Sequence, residues 1–238
     1  MKSRHFSYGQ PTFGTKANSK PQSFWTKSVY FWWFEYLRRN EAYKKTCLSK
    51  GKGKLANLYA DFGDVLDIDF RAWWKTDQRG AVLFSEPIVK DTLEVINLSD
   101  IPSITNKDII YIKVPLNLSK RFLKAKFYGV LKKLHQGKRG IRQARQSKAK
   151  YIVIGQPNIE ALKKTLKVYD YHLENPQLKL WEIGRDLKLS LADNPLKTDS
   201  PKIAYDKRNR LSASVSRYLR KAKRMIENTS KGRFPDIK

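Results

Sequence analysis

Val29-Tyr-Phe-Trp-Trp-Phe-Glu-Tyr-Leu37 holds one charged residue, Glu35, among aromatic and branched apolar side chains. Val29, Trp33, Tyr36, Leu37, Tyr43 and Cys47 recur at helical spacing, so the reading is a helix over 26–48. A helix that is apolar nearly all round is buried on more than one side. Bases could stack on such aromatics and a partner could cover them, but burial in a core is the main expectation. Leu58, Tyr59, Phe62, Phe70, Trp73 and Trp74 extend the aromatic pattern into two further short helices around Gly63.

Beyond Gly80 the period changes. Ala81-Val-Leu-Phe84, Leu93-Glu-Val-Ile96 and Ile109-Ile-Tyr-Ile-Lys-Val114 are short and rich in β-branched residues, and Gly80, Pro87, Asn97, Pro102 and Pro115 bound them. They predict three strands of a small antiparallel sheet, with Tyr151-Ile-Val-Ile154 as a further strand. Helices are expected over 118–136 (capped by Ser119), 158–173 (capped by Asn158), 178–189 and 208–228. The expected fold is therefore α+β, with three parts. These are a flexible basic arm over 1–23, a helical and small-sheet domain over 24–150 ending in a basic helix and loop, and a mostly helical DNA-binding domain over 151–238.

Charge narrows the function. The 238 residues include 49 Lys and Arg against 22 Asp and Glu, a formal net charge of +27. Residues 107–150 carry 14 basic side chains and one acidic, and residues 202–238 carry 12 and three, whereas residues 151–201 are balanced. Segregation of this kind is the footprint of phosphate binding rather than of general solubility. The single cysteine, Cys47, excludes an intrachain disulfide and fits a reducing, cytoplasmic setting, with association with the nucleoid as one form of it. No run of about 18 apolar residues occurs, so neither a membrane span nor a membrane partner is expected. No apolar run follows Lys2, Arg4 and His5, so no secretory leader is expected.

The last predicted helix is the most informative basic element. At 100° per residue, Leu211, Val215, Tyr218, Leu219, Ala222, Met225 and Ile226 fall in one arc, and Arg210, Arg217, Arg220, Lys221 and Arg224 in the opposite one. An ordinary solvated helix would mix signs on its outer face. The expectation is a DNA-binding face of Arg208, Arg210, Ser212, Ser214, Arg217, Arg220, Lys221 and Arg224, where Arg reads guanine and Lys and Ser hold phosphates. Leu180-Trp-Glu-Ile-Gly-Arg-Asp-Leu187 resembles the first helix of a helix-turn-helix unit, with Gly184 small enough for close helix approach. The intervening residues 190–206 are far more than the few of an ordinary turn. A second face is expected from Lys120, Arg121, Lys124, Lys132 and Lys133, continued by Lys138, Arg139, Arg142, Arg145 and Lys148 along a phosphate backbone.

Signatures of chemistry are sparse. His5, His135 and His172 lie far apart and have no zinc-ligand spacing with Cys47, and no phosphate-binding loop of the GxxxxGK[ST] form occurs. Asp61, Asp64, Asp67 and Asp69 could hold magnesium for phosphodiester cleavage, or could cap short helices around Gly63. His135 and Arg139 match part of a tyrosine-recombinase constellation, but Tyr151 is not where its nucleophile would be. The expectation is binding without catalysis and without a cofactor or metal. A metal-dependent nuclease or recombinase and an RNA-binding structural protein are the alternatives.

Tyr30-Phe-Trp-Trp-Phe-Glu-Tyr-Leu-Arg-Arg-Asn40, Leu58-Tyr-Ala-Asp-Phe-Gly-Asp64, Phe70-Arg-Ala-Trp-Trp74, Val215-Ser-Arg-Tyr-Leu-Arg-Lys-Ala-Lys223 and Gly232-Arg-Phe-Pro235 together resemble proteins of bacterial mobile elements: phages, plasmids or genomic islands. The likeness extends over most of residues 24–236 and implies a setting, with no activity attached to it.

Overall fold

The structure is a computed structural model that describes residues 6–15, 17–86, 110–134 and 147–237. Its elements in chain order are α1 (Gln22–Trp25), α2 (Val29–Arg38), α3 (Glu41–Leu48), α4 (Ala56–Phe62), α5 (Phe70–Lys75), a 3-10 turn (Thr76–Gln78), α6 (Arg79–Phe84), α7 (Lys120–Leu134), α8 (Ile159–Glu174), α9 (Leu180–Asp186) and α10 (Pro201–Thr229).

The expected α+β class is overturned: among the described residues the protein is helical, with no β-strand. Ala81–Phe84 lies within α6, where Gly80, Leu83 and Phe84 are buried and Val82 is exposed. That is i, i+3, i+4 spacing, which a four-residue apolar run does not separate from a strand. Residues 110–114 are all exposed and form no ladder. Leu93–Ile96 and Ile109 lie outside the described residues. In the 151–154 segment only Val153 pairs, through one parallel bridge to Phe234, and the Ile154 N–H donates to the Phe234 carbonyl at 2.9 Å.

The helix expected over 26–48 is two helices. Asn40 divides them because its Oδ1 accepts from the Tyr43 N–H, which caps α3. Its Nδ2 donates to the Ile226 carbonyl of α10 at 2.7 Å. Arg39 beside it forks onto both oxygens of Asp170 in α8, at 2.6 and 2.8 Å, and reaches Glu35 at 2.8 Å. The Tyr36 hydroxyl donates to the Leu162 carbonyl. The end of α2 is thereby fastened to α8 and α10, where the basic C-terminal face is built.

Eight of the ten residues of α2 are buried, which the all-round apolar pattern requires. Phe62, Phe70, Trp73, Trp74 and Phe84 pack in the same cluster as Leu162, Leu166, Met225, Ile226 and Phe234. One core thus joins residues on both sides of position 150. Part of the expected N-terminal arm enters it too: Phe13 is buried against Trp25 and Phe70, and Phe6 packs on Tyr30 and Trp74. Tyr30, Tyr36 and Tyr43 lie inside, and loss of hydration for the phenolate pushes each hydroxyl's pKa well above its ordinary value.

Gly80 sits beneath the Trp74 indole, and a Cβ placed there would run into the ring. Gly80→Ala is therefore expected to lower stability by about 1–3 kcal/mol through overpacking, read as a lower urea midpoint with an unchanged m-value.

A second, smaller cluster holds α8, α9 and α10 together through Val168, Ile183, Val215 and Leu219, with Leu180, Leu187, Leu189 and Tyr218 around it. Gly184 contributes by being small: a Cβ on it would lie 3.2 Å from the side chain of Leu211. Ser200 caps α10, and Pro201 fills its first turn, where a missing N–H costs nothing. The helix has 29 residues, about 43 Å at 1.5 Å per residue. It starts seven residues before the expected position, so the α9–α10 connection is residues 187–200. That is still longer than the turn of a helix-turn-helix unit. Among the described residues no helix is long and apolar enough to cross a membrane.

Candidate nucleic-acid interface

α10 is held by its apolar side. Leu211, Val215, Leu219, Ala222, Met225 and Ile226 are all buried, and together they reach both clusters. The opposite side presents Arg210, Arg217, Arg220 and Arg224, all exposed, with Lys221 half-buried beside them. Arg210 and Arg224 stand 14 positions apart, about 21 Å along the helix. No basic side chain from Arg217 to Arg224 has an acidic partner among the described residues. Arg217 donates from Nη2 to Ser214 Oγ at 3.1 Å, and Arg224 from Nη1 to the Ile237 carbonyl at 3.0 Å.

Two of the residues expected on this face stand elsewhere. The Arg208 guanidinium lies 4.9 Å from the centre of the Trp181 ring in α9, and Arg185 lies 5.3 Å from the same ring. Cation–π attraction thus turns Arg208 towards α9. Ser212 lies well off the arginine arc in angle and is half-buried. Ser214 is the serine that the helix brings beside Arg217.

The 187–200 connection folds back along α10. Asp193 Oδ1 accepts from Arg210 Nε at 2.5 Å, and Oδ2 accepts from Ser190 Oγ at 2.8 Å. These bonds, from Arg210 first, hold the Asp193 carboxyl below its ordinary pKa. Asp199 bonds to Lys207 Nζ at 2.8 Å, and the Leu196 N–H followed by Lys207 lowers its pKa. Two open grooves lie along this line. One of about 390 Å³ involves Asp193, Arg210, Ser214, Ser216, Arg217 and Arg220. The other, about 230 Å³, shares Ser214 and Arg217 with it and adds Leu189, Tyr218 and Lys221.

Of the second expected face, only part lies within the described residues. Lys120, Arg121, Lys124, Lys132 and Lys133 are exposed on α7, a helix that buries none of its residues. Lys138, Arg139, Arg142 and Arg145 lie outside the described residues. Lys148 is exposed, and its backbone N–H donates to Glu86, which also accepts from Ser147.

Three of the four candidate catalytic acids have structural partners. Asp61 accepts from Lys150 at 2.5 Å and from the Tyr151 hydroxyl at 2.6 Å. Burial first, and this bond second, push the Tyr151 hydroxyl's pKa up. The Tyr151 ring packs edge-on against Phe62 and Trp33. Asp64 accepts from the Leu66 N–H, and Asp69 caps α5 through the N–H groups of Arg71 and Ala72. Among the described residues no three His, Cys, Asp or Glu side chains are grouped to hold a metal. Cys47 is buried, which raises the pKa of its thiol. His5 and His135 lie outside the described residues.

Sequence reasoning missed Lys164 and Asp193. The Lys164 ammonium stands 5.8 Å from the centre of the ring of Tyr218, which itself lines the smaller groove. Both residues belong to the charge-balanced segment 151–201, where counting by segment hides single positions. Comparison with known proteins found no matching family model, no matching curated protein and no matching solved structure.

Proposed function

We propose that the protein binds nucleic acid without catalysis, with duplex DNA as its main ligand and the outer face of α10 as its principal contact. The observation that carries this reading is the run Arg217, Arg220, Lys221 and Arg224. It is a cationic strip without acidic partners among the described residues, on a helix whose other side is fixed in two clusters. Leaving these charges unpaired costs repulsion, which a polyanion relieves. Each phosphate neutralised releases condensed counterions. An α-helix fits the DNA major groove, where Arg forks onto guanine. Held from behind, α10 keeps the strip preorganised on binding. The cations of α7 supply a second contact to the backbone. The likeness to mobile-element proteins fits a regulator or an accessory factor of recombination or replication.

The test is fluorescence anisotropy of the whole chain with a random duplex, the duplex upstream of its own coding sequence and a structured RNA, over a salt series. The expected result is binding to duplex in preference to RNA, with affinity falling steeply with salt. An advantage of about tenfold or more for the upstream duplex indicates a sequence-reading regulator, and equal affinities an architectural or accessory role. No binding to either duplex at about 50 mM salt would overturn the reading.

A further inference from the structure

The geometry points to a built seat for a single backbone phosphate in the groove between the 187–200 connection and α10, with Asp193 as an internal anion that opposes it. This rests on the nucleic-acid reading and adds to it a ligand position and a residue that sets affinity. The chain itself already places an oxyanion at one end of this groove: the Asp193 carboxylate, on Arg210 and Ser190. One turn further along, Ser214 receives a hydrogen bond from Arg217, which steadies that guanidinium along the groove wall. A guanidinium has five N–H donors. Arg217 spends one of them on Ser214, and Arg220 spends none on any described residue. Ser214 and Ser216 add hydroxyls on the same wall. Three guanidiniums and two hydroxyls thus border a groove of about 390 Å³ that contains one acid. Forked guanidinium donors match the oxygens of a phosphate.

The adjoining groove favours a phosphodiester over free phosphate. It shares Ser214 and Arg217, and it continues into Leu189 and Tyr218 with Lys221 at its side. An apolar wall next to a cationic one suits a phosphate that carries a sugar. Asp193 then has a definite sign of effect. It neutralises Arg210 and repels a phosphate seated on Arg217 and Arg220, so the protein binds less tightly than its cations would permit.

The experiment uses the full chain, a random duplex and a salt series, with Asp193→Asn and Arg217→Gln as variants. Asparagine keeps an oxygen for Arg210, and its amide N–H can donate to the Ser190 hydroxyl in place of the bond that Oδ2 accepts, so the main loss is the charge. Asp193→Asn is expected to tighten duplex binding by about five- to tenfold at about 0.1 M salt and to steepen the log–log salt slope by about one phosphate. Arg217→Gln is expected to weaken binding by a similar factor and to flatten the slope by the same amount. If wild type binds duplex but Asp193→Asn binds equally or less well, Asp193 is an anchor of the connection and the proposal is overturned, while the reading beneath it stands. Unchanged binding by Arg217→Gln likewise removes the seat alone. Failure of wild type to bind any duplex overturns both. In that case, a melting temperature raised by excess inorganic phosphate in wild type but not in Arg217→Gln would assign the groove to a free anion instead.

Discussion

Trp73→Ala is expected to lower the unfolding free energy by about 3–5 kcal/mol, a large share of the roughly 5–15 kcal/mol that holds a typical domain together. Trp73 is fully buried, with ring centres of Phe34, Phe62 and Phe70 between 5.0 and 5.9 Å away. Its indole N–H also donates to the Phe62 carbonyl at 2.6 Å. Trp33 is equally buried, but its indole N–H has no hydrogen-bond partner among the described residues. The two phenylalanine variants should therefore differ. Trp73→Phe gives up a hydrogen bond, whereas Trp33→Phe removes a buried donor that was already unsatisfied. The first should cost about 1 kcal/mol more than the second. Urea unfolding of the four proteins checks both statements, and equal costs for the two phenylalanine variants would contradict the assignment of the indole bonds.

The second large effect is on binding. Replacing Arg217, Arg220, Lys221 and Arg224 together by Gln is expected to weaken duplex binding at about 0.1 M salt by about a hundredfold to a thousandfold. The same change should leave stability within about 0.5 kcal/mol of wild type, since none of the four has an acidic partner among the described residues and three are exposed. Loss of affinity without loss of stability distinguishes a contact surface from a structural one. A variant that melts early, or one that binds DNA normally, would contradict this placement of the interface.

Much of the helical core was legible because its signals are local. The all-round apolar run of α2, the cap Asn158 with its bond to the Ala161 N–H, and the two-sided pattern of α10 all follow from side-chain period and capping. What failed also has physical causes. A four-residue apolar run is compatible with either period, so Ala81–Phe84 reads as a strand in sequence; burial of Gly80, Leu83 and Phe84 on one side makes it helix. The break between α2 and α3 was hidden because Asn40 sits inside a continuing apolar pattern, and its role as a cap depends on a turn that only the fold reveals. The early start of α10 escaped because its first ten residues bury nothing: Ile203 and Tyr205 are exposed there. Only Ser200 and Pro201 marked the start.

The candidate interface divides the same way. The strip Arg210, Arg217, Arg220, Lys221 and Arg224 could be read at 100° per residue, because a single helix sets its geometry. Asp193 and Lys164 could not, because a connection folded back along α10 brings in the first and packing of α8 the second. Arg208 was misplaced for a related reason: its partner, Trp181, stands on a different helix.

The most direct test of the account is the slope of log affinity against log salt for the intact chain on a random duplex, compared with the Arg217, Arg220, Lys221 and Arg224 glutamine variant. The account predicts a linear fall with a slope of about −4 or steeper for wild type, and a slope shallower by about three to four for the variant. A wild-type slope near zero, or two proteins with the same slope, would contradict the claim that this face of α10 binds the nucleic-acid backbone.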